Sequence, residues 1–220
     1  MDGSQPGGSP DGPPALRLPL EPALPLRSER LLLRAFEPSD EGFLWDVYSR
    51  PEVHRWLYST ALTRDRLPAL VEQRLGERVL DEGSRLRLLV AEAASGAPLG
   101  DIALMVASAE HAQGEIGYVF HPDAGGRGYA TEAAARILRL GFEEAGFHRI
   151  TAQLEPRNEA SARVLERLGM RREAHLVENE WVKGAWESEV RYALLAREWR
   201  EQHPGRPAAP ASPGGPGPRP

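Results

Sequence analysis

The sequence of 220 residues contains no cysteine. This absence excludes disulfide bonds, a thiolate nucleophile and zinc held by cysteine. The histidines do not occur at the H-x-x-x-H or H-E-x-x-H spacing that is typical of helical metal sites. The sequence therefore predicts no metal site and no chemistry that depends on a thiolate of the protein.

Long apolar runs and an excess of basic residues are also missing. No run approaches the roughly 20 apolar residues that span a bilayer, and the amino terminus lacks the basic-then-apolar order of a signal peptide. With 27 Lys and Arg against 32 Asp and Glu, the net charge is -5, which offers nucleic acid no bulk attraction. We expect a soluble cytoplasmic protein that binds neither membranes nor nucleic acid directly and does not repel a cationic amine.

Proline and glycine are concentrated at the two ends of the chain. Residues 1–25 and 203–220 are rich in both and have few aromatic residues. Such segments bury too little apolar surface to offset the entropy lost on ordering. The composition therefore predicts two disordered tails that flank one domain, residues 26–202.

Within this domain, the hydrophobic pattern changes between the periods of strands and helices. A strand and two helical stretches come first, and three strand candidates joined by short turns follow at 85–93, 98–108 and 113–121. A glycine-rich loop, a helix, a strand and another helix lead to a final hairpin that turns at Lys183 and Gly184. This order predicts an α/β protein with a sheet of mixed strand direction.

The glycine-rich loop places three glycines within four residues, Gly125 to Gly128, directly before an alanine-rich helical pattern. The first four N–H groups of a helix lack intrahelical partners, and glycines let an anion approach them closely. The loop lacks the Lys-Ser/Thr pair of a P-loop and the full G-x-G-x-x-G of a dinucleotide fold. Taken alone, it is equally compatible with a diphosphate site and with a structural turn.

Four segments of the sequence resemble the GCN5-related N-acetyltransferase (GNAT) family, in particular its ribosomal-protein-acetyltransferase-like branch of the RimJ/RimL type. They are "LRSERLLLRAFEPSDEGFLW", "GEIGYVFHPDAGGRGYATEA", "NEASARVLERLGM" and "ENEWVKGAWESEVRYALL", in the family's order. The resemblance implies a single domain with a strongly twisted mixed sheet of about seven strands, which splays at the cofactor site and is flanked by about four helices. It also implies acetyl-CoA as co-substrate.

The resemblance also implies which residues bind acetyl-CoA. The backbone of Val119 and Phe120 is expected to meet the pantetheine arm, and the side-chain amide of Asn158 is expected to reach the cofactor. The loop that receives the pyrophosphate corresponds to Gly125, Gly126, Arg127, Gly128, Tyr129, Ala130 and Thr131. Asp123 stands where many relatives carry Gln or Arg, which leaves binding mainly to the backbone amides.

Acetyl transfer to an amine requires a neutral amine and a proton for the leaving thiolate. Glu115, at the start of the strand expected to face the thioester, is the candidate base; alternatively it is a surface carboxylate paired with an arginine. The tyrosine that many relatives place seven residues after the asparagine is here Leu165. Ser161 is therefore the candidate acid, or else its hydroxyl bonds to its own helix.

The resulting hypothesis is an N-acetyltransferase that passes an acetyl group from acetyl-CoA to a primary amine. The acceptor would be a protein N-terminal α-amine or a small-molecule amine, and the enzyme would be a monomer or homodimer. Direct attack in a ternary complex is expected because the sequence offers no cysteine nucleophile. Two alternatives stay open, namely a non-catalytic acyl-CoA sensor and an interaction domain in which the loop is only a turn.

Overall fold

The computed structural model describes residues 15–204, so residues 1–14 and 205–220 of the predicted tails lie outside the described residues. The strands are β1 Leu26–Arg27, β2 Leu31–Arg34, β3 Arg85–Glu92, β4 Pro98–Ser108, β5 Gln113–Phe120, β6 Arg149–Leu154, β7 Arg171–Val182 and β8 Ala185–Leu195. The helices are α1 Glu41–Tyr48, α2 Pro51–His54, α3 Leu67–Gly76, α4 Tyr129–Arg139, α5 Glu159–Arg167 and α6 Ala196–Gln202. None of these helices is long and apolar enough to cross a membrane.

The strands form one mixed sheet in the order β1-β2-β3-β4-β5-β6-β8-β7. Neighbouring strands are antiparallel except β5 and β6, which are parallel. The predicted fold class is thus confirmed, with eight strands in place of about seven and six helices in place of about four. The elements that the sequence pattern missed are the short ones, β1, α2 and α6, which hold too few residues to show a period.

The closing hairpin turns where it was predicted to turn. Lys183 and Gly184 separate β7 from β8 and have φ angles of 56° and 79°. Two consecutive positive φ angles are those of a type I′ turn, whose twist matches that of the flanking strands. The hairpin carries β8 back along β6, so that β8 lies between β6 and β7.

The pairing of β5 with β6 is short. Residues 113–115 pair with residues 149–151, and no further pair forms between the two strands. From Ile116 onward, the edge of β5 that faces β6 is therefore free, while its other edge stays paired with β4 as far as Phe120. The sheet opens at this point, in agreement with the predicted splay, and its backbone groups become available to a ligand.

Helices cover both faces of the sheet. On one face, α4 packs its alanine-rich stripe, which includes Ala133 and Ile137, against Leu104 and Ile116. On the other face, α1 and α3 pack against Leu89 of β3. Burial of these apolar side chains stabilises the fold by about 1.5–3 kcal/mol for each large residue. The rigid layers hold the opened strands β5 and β6 between them.

Residues 15–25 were predicted to belong to the disordered amino-terminal tail, but they contact the domain. Leu20 and Leu80 exchange two backbone hydrogen bonds of 2.9 and 3.0 Å, and the N–H of Arg17 donates to the carbonyl of Ala145 at 2.9 Å. Four leucines of the segment pack against the core, namely Leu16, Leu18, Leu20 and Leu24. Their apolar area compensates for the prolines, so the packed part of the chain starts before Leu26.

A buried polar network beneath α1 supports a first prediction. The hydroxyl of Tyr48 donates to Asp101 at 2.6 Å, and Asp101 is fully buried. Tyr48→Phe leaves that carboxylate oxygen without this donor, so we expect the free energy of unfolding to fall by about 2 kcal/mol in urea titrations. The control is Tyr192→Phe, because the Tyr192 hydroxyl meets the exposed Glu166 at 3.3 Å and its loss should cost less. Equal losses in the two variants would contradict this account.

Candidate active site

The glycine loop leads into α4 through left-handed backbone. Gly126 and Gly128 have φ angles of 75° and 78°, and Gly128 is the N-cap residue of α4. An L-residue is disfavoured in this conformation, which explains why glycine occupies both positions. Left-handed backbone next to a helix start can present successive N–H groups to an anion.

The N–H groups of residues 126–131 form an anion cradle, and within residues 15–204 the protein itself supplies no acceptor for them. The hydroxyl oxygen of Thr131 is buried and also has no hydrogen-bond partner in that part of the chain. Buried polar groups are rarely left unpaired, so the loop fits an anionic group with several oxygens, such as a diphosphate.

Long-range contacts fix the backbone of this loop. The guanidinium of Arg30 donates to the carbonyl of Arg127 at 3.1 Å and forms a 2.7 Å ion pair with Glu132 of α4. The hydroxyl of Tyr129 donates to Glu92 of β3 at 2.9 Å. Because Arg30, directly before β2, and Glu92 of β3 hold the loop, its N–H groups are oriented before a ligand arrives.

A cleft of about 560 Å³ runs from the loop along β5 and α5. Nine of the ten residues predicted to bind acetyl-CoA line it, and only the side chain of Arg127 does not. The nine are Val119, Phe120, Gly125, Gly126, Gly128, Tyr129, Ala130, Thr131 and Asn158. The structure therefore brings the predicted cofactor residues together along one surface.

A second cavity of about 220 Å³ lies where β5 and β6 separate. It is lined by Glu115 and by residues of both opened strands, including Gly117 and Gln153. The residues shared by the two cavities are Trp56, Leu57, Tyr118, Val119, Asn158 and Ser161. The cavities therefore meet, and a ligand held at the glycine loop can extend along β5 toward Glu115.

Glu115 is a half-buried carboxylate with no hydrogen bond or ion pair to another residue in the described range. Burial raises its pKa above the usual range, and the nearby negative charge of Glu189 adds to the rise, whereas Arg191 and Arg85 counteract it in part. Glu189 is itself almost fully buried and is paired with Arg191. Arg191 and Arg85 thus act on Glu115 electrostatically without an ion pair to it in the described range, and its role as the base stays a prediction.

Asn158 and Ser161 lie at the start of α5. The side-chain oxygen of Asn158 caps the helix by accepting the N–H of Ser161 at 3.1 Å. This bond uses only the oxygen, and the side-chain nitrogen of Asn158 has no acceptor among residues 15–204, so it can donate to a ligand. The hydroxyl of Ser161 likewise makes no bond to the backbone of its helix in this part of the chain.

Several cleft residues escaped prediction from the sequence. Tyr118 lies in both cavities, and its alternation with Ile116 and Phe120 on β5 was its only signal. Arg163 and Arg167 line the larger cavity one helical turn apart on α5. These arginines add positive charge close to the anion cradle.

All residues that line the two cavities lie within the part of the chain that matches a known protein family. The family described as the acetyltransferase (GNAT) domain matches residues 30–171. The N-acetyltransferase YnaD of Bacillus subtilis is 32% identical over 174 residues, which cover 79% of this chain and 98% of that protein. The chain belongs to the GNAT acetyltransferase family. It is accordingly an acetyl-CoA-dependent acyltransferase, and transfer of the acetyl group to an amine is the reaction of the N-acetyltransferases that it resembles.

Solved structures of GNAT proteins have the same fold. A GNAT acetyltransferase from Bacillus anthracis superposes with a TM-score of 0.70 at 32% identity and covers 79% of this chain and 99% of its own. The spermidine N-acetyltransferase of Vibrio cholerae, solved with CoA and spermine, has a TM-score of 0.67 at 21% identity, with coverage of 78% and 99%. Within the described residues of the present GNAT chain, no group of acidic and histidine side chains could hold a metal ion.

Proposed function

We propose that this GNAT protein transfers the acetyl group of acetyl-CoA to a primary amine by direct attack within a ternary complex. The observation that carries the proposal is the continuous cleft, with an anion cradle at one end and the carboxylate of Glu115 at the other. An extended donor with a diphosphate fits such a cleft, and an amine that enters beside Glu115 would meet the far end of that donor.

Acetyl-CoA would be held mainly through the backbone. The N–H groups of residues 126–131 would bind the diphosphate, and each charge-assisted hydrogen bond contributes about 1.5–3 kcal/mol. The free edge of β5 at Val119 and Phe120 would pair with the amides of the pantetheine arm. Asn158 would donate its side-chain N–H to the same arm. Arg127, on the outer side of the loop, would partly neutralise the charge of the phosphates.

Glu115 would accept the proton that the acceptor amine loses. An amine with a pKa near 7.8 costs about 1 kcal/mol to deprotonate at pH 7, whereas a lysine with a pKa near 10.4 costs about 4.6 kcal/mol. The raised pKa of Glu115 makes the carboxylate a stronger base than an exposed glutamate, which suits this task. Ser161, where the two cavities meet, would hydrogen-bond to the sulfur of the donor.

The surroundings of Tyr58 support a cationic acceptor. Tyr58 lines the smaller cavity. Burial raises its pKa, and so do the negative charges of Glu189, Glu155, Glu180 and Glu187. Glu155 and Glu187 are paired with Arg157, and Glu189 is paired with Arg191, so four carboxylates face two guanidiniums. The remaining negative charge would favour a protonated amine over an acidic peptide. The spermidine N(1)-acetyltransferase of Escherichia coli, 22% identical over 172 residues, is a relative whose name specifies a cationic small molecule.

The deciding experiment for this function measures binding and turnover separately. At about 100 times its Kd, acetyl-CoA should stabilise the native protein by about 2.7 kcal/mol and raise the melting temperature. Thiol release is then measured with polyamines, N-terminal peptides and aminoglycosides as acceptors. The absence of any thermal shift would refute the acetyl-CoA site, and binding without thiol release from any amine would favour the non-catalytic sensor.

A further inference from the structure

The place where the two cavities meet carries few groups that can give up a proton to a sulfur atom. Of the six residues that line both cavities, only Tyr118 and Ser161 carry a hydroxyl. Helix α5 supplies no second tyrosine there, because its inward residue Leu165 is apolar and 1% exposed. A proton donor for the leaving group has to be sought on β5, opposite the start of α5.

Tyr118 is well placed to donate a proton to the leaving sulfur. It follows the last residue pair between β5 and β6, so its side chain borders the opening between the strands. Its ring packs edge-to-face against Phe120, with 6.4 Å between the centroids, which limits its movement. Its hydroxyl donates to the backbone carbonyl of Ser161 at 3.4 Å, a long contact that is easily exchanged for a better acceptor.

The protonation state of Tyr118 also suits a donor. Burial raises the pKa of its hydroxyl to about 12. The hydroxyl therefore keeps its proton throughout the neutral range, as a donor must, and the same rise makes it a weaker acid than an exposed tyrosine. By contrast, the free hydroxyl of Ser161 is a much weaker acid than a phenol, which favours a hydrogen-bonding role for it.

We propose that the Tyr118 hydroxyl is the proton donor to the departing sulfur. As the amine nitrogen bonds to the acetyl carbon, the carbon–sulfur bond breaks, its electron pair stays on sulfur, and the Tyr118 O–H proton moves to that sulfur. The amine gives up its proton to Glu115, which releases it to solvent, and the Tyr118 oxygen takes a proton from solvent, so the protein ends the cycle unchanged. This inference rests on the acetyl transfer proposed above.

The kinetic test is Tyr118→Phe. General acid catalysis contributes about 10²–10⁴-fold, so kcat should fall by about 100-fold or more while the KM for the amine stays within about twofold. Ser161→Ala should lower kcat less. Tyr192→Phe is the matched control, because it removes a tyrosine hydroxyl from the same sheet but outside the two cavities, and it should leave kcat unchanged. A kcat for Tyr118→Phe within about twofold of wild type would overturn the assignment.

A binding test separates proton donation from simple packing. The affinities of CoA and desulfo-CoA are compared by calorimetry as the pH is raised and the CoA thiol ionises. In the wild type, the thiolate accepts from Tyr118, so the preference for CoA over desulfo-CoA should grow with pH by about 10-fold. In Tyr118→Phe the preference for CoA should no longer increase with pH, while the affinity for desulfo-CoA should equal that of the wild type. An identical pH response in both proteins would contradict the proposal.

The two proposals fail in distinguishable ways. If wild-type protein binds acetyl-CoA but acetylates no amine, the proposed function fails, whatever Tyr118 does. If the wild type acetylates an amine and Tyr118→Phe matches it in kcat and in the pH response of CoA binding, only the role of Tyr118 fails.

Discussion

Gly126→Ala is expected to weaken acetyl-CoA binding about 100-fold. With φ at 75°, residue 126 lies in backbone that costs an L-residue about 1–2 kcal/mol, so the variant should relax toward negative φ. That change turns the neighbouring N–H groups away from the cradle. The loss of two charge-assisted hydrogen bonds costs about 3 kcal/mol, which corresponds to about 100-fold in Kd by titration calorimetry.

The chain offers a closely matched control for this variant. Gly96, in the turn between β3 and β4, also has a φ of 75°, and like Gly126 it has open space where a Cβ would lie. Gly96→Ala should therefore lose a similar amount of folding stability but retain the acetyl-CoA affinity of the wild type. Wild-type affinity in Gly126→Ala, or an equal loss of affinity in both variants, would show that the loop amides do not bind the diphosphate.

The features that were predicted from the sequence are those that depend on local rules. The closing hairpin depends on two adjacent residues, Lys183 and Gly184, which adopt the positive φ angles that such a turn needs. The glycine loop depends on Gly126 and Gly128, whose freedom at positive φ is a property of the residue alone. The splay of β5 from β6 came from the resemblance to GNAT proteins, because hydropathy does not determine where two parallel strands stop pairing.

The features that were missed depend on partners far away in the chain. Arg30 fixes the glycine loop through Glu132, 102 residues later, and no local pattern connects the two. Leu20 becomes ordered because Leu80 completes its backbone pairing, although the proline content around it predicts disorder. Tyr118 borders the opening in the sheet because the pairing of β5 with β6 ends at Glu115. In each case tertiary contacts, whose free energy exceeds local propensity, decide the outcome.

Glu115→Gln is expected to remove most of the catalytic rate. General base catalysis is worth about 10²–10⁴-fold, so kcat/KM should fall within that range, while acetyl-CoA binding, made by the loop and the free edge of β5, stays as in the wild type. In the wild type, activity should decline as the pH falls through the raised pKa of Glu115, since only the carboxylate can accept a proton. The variant should lose this acidic limb of the pH–rate profile.

The same substitution should stabilise the protein at neutral pH. The pKa of Glu115 is raised on folding, so between its unfolded value and its folded value the native state binds more protons than the unfolded state. The free energy of unfolding therefore falls as the pH rises through that window, because the buried side chain becomes charged. A glutamine at position 115 carries no charge and avoids this decrease. The melting temperature of Glu115→Gln should exceed that of the wild type at pH 7 and approach it at low pH.

The exposed Glu110, in the turn before β5, provides the control for both effects. Glu110→Gln removes one negative charge from the same region without touching the cleft, so kcat/KM should stay near the wild-type value. A stability gain at pH 7 together with a loss of rate, found only at residue 115, would indicate that a desolvated carboxylate is retained for catalysis at the expense of folding stability. Unchanged activity in Glu115→Gln would instead assign the proton transfer to water, and the burial of Glu115 would then have no catalytic use.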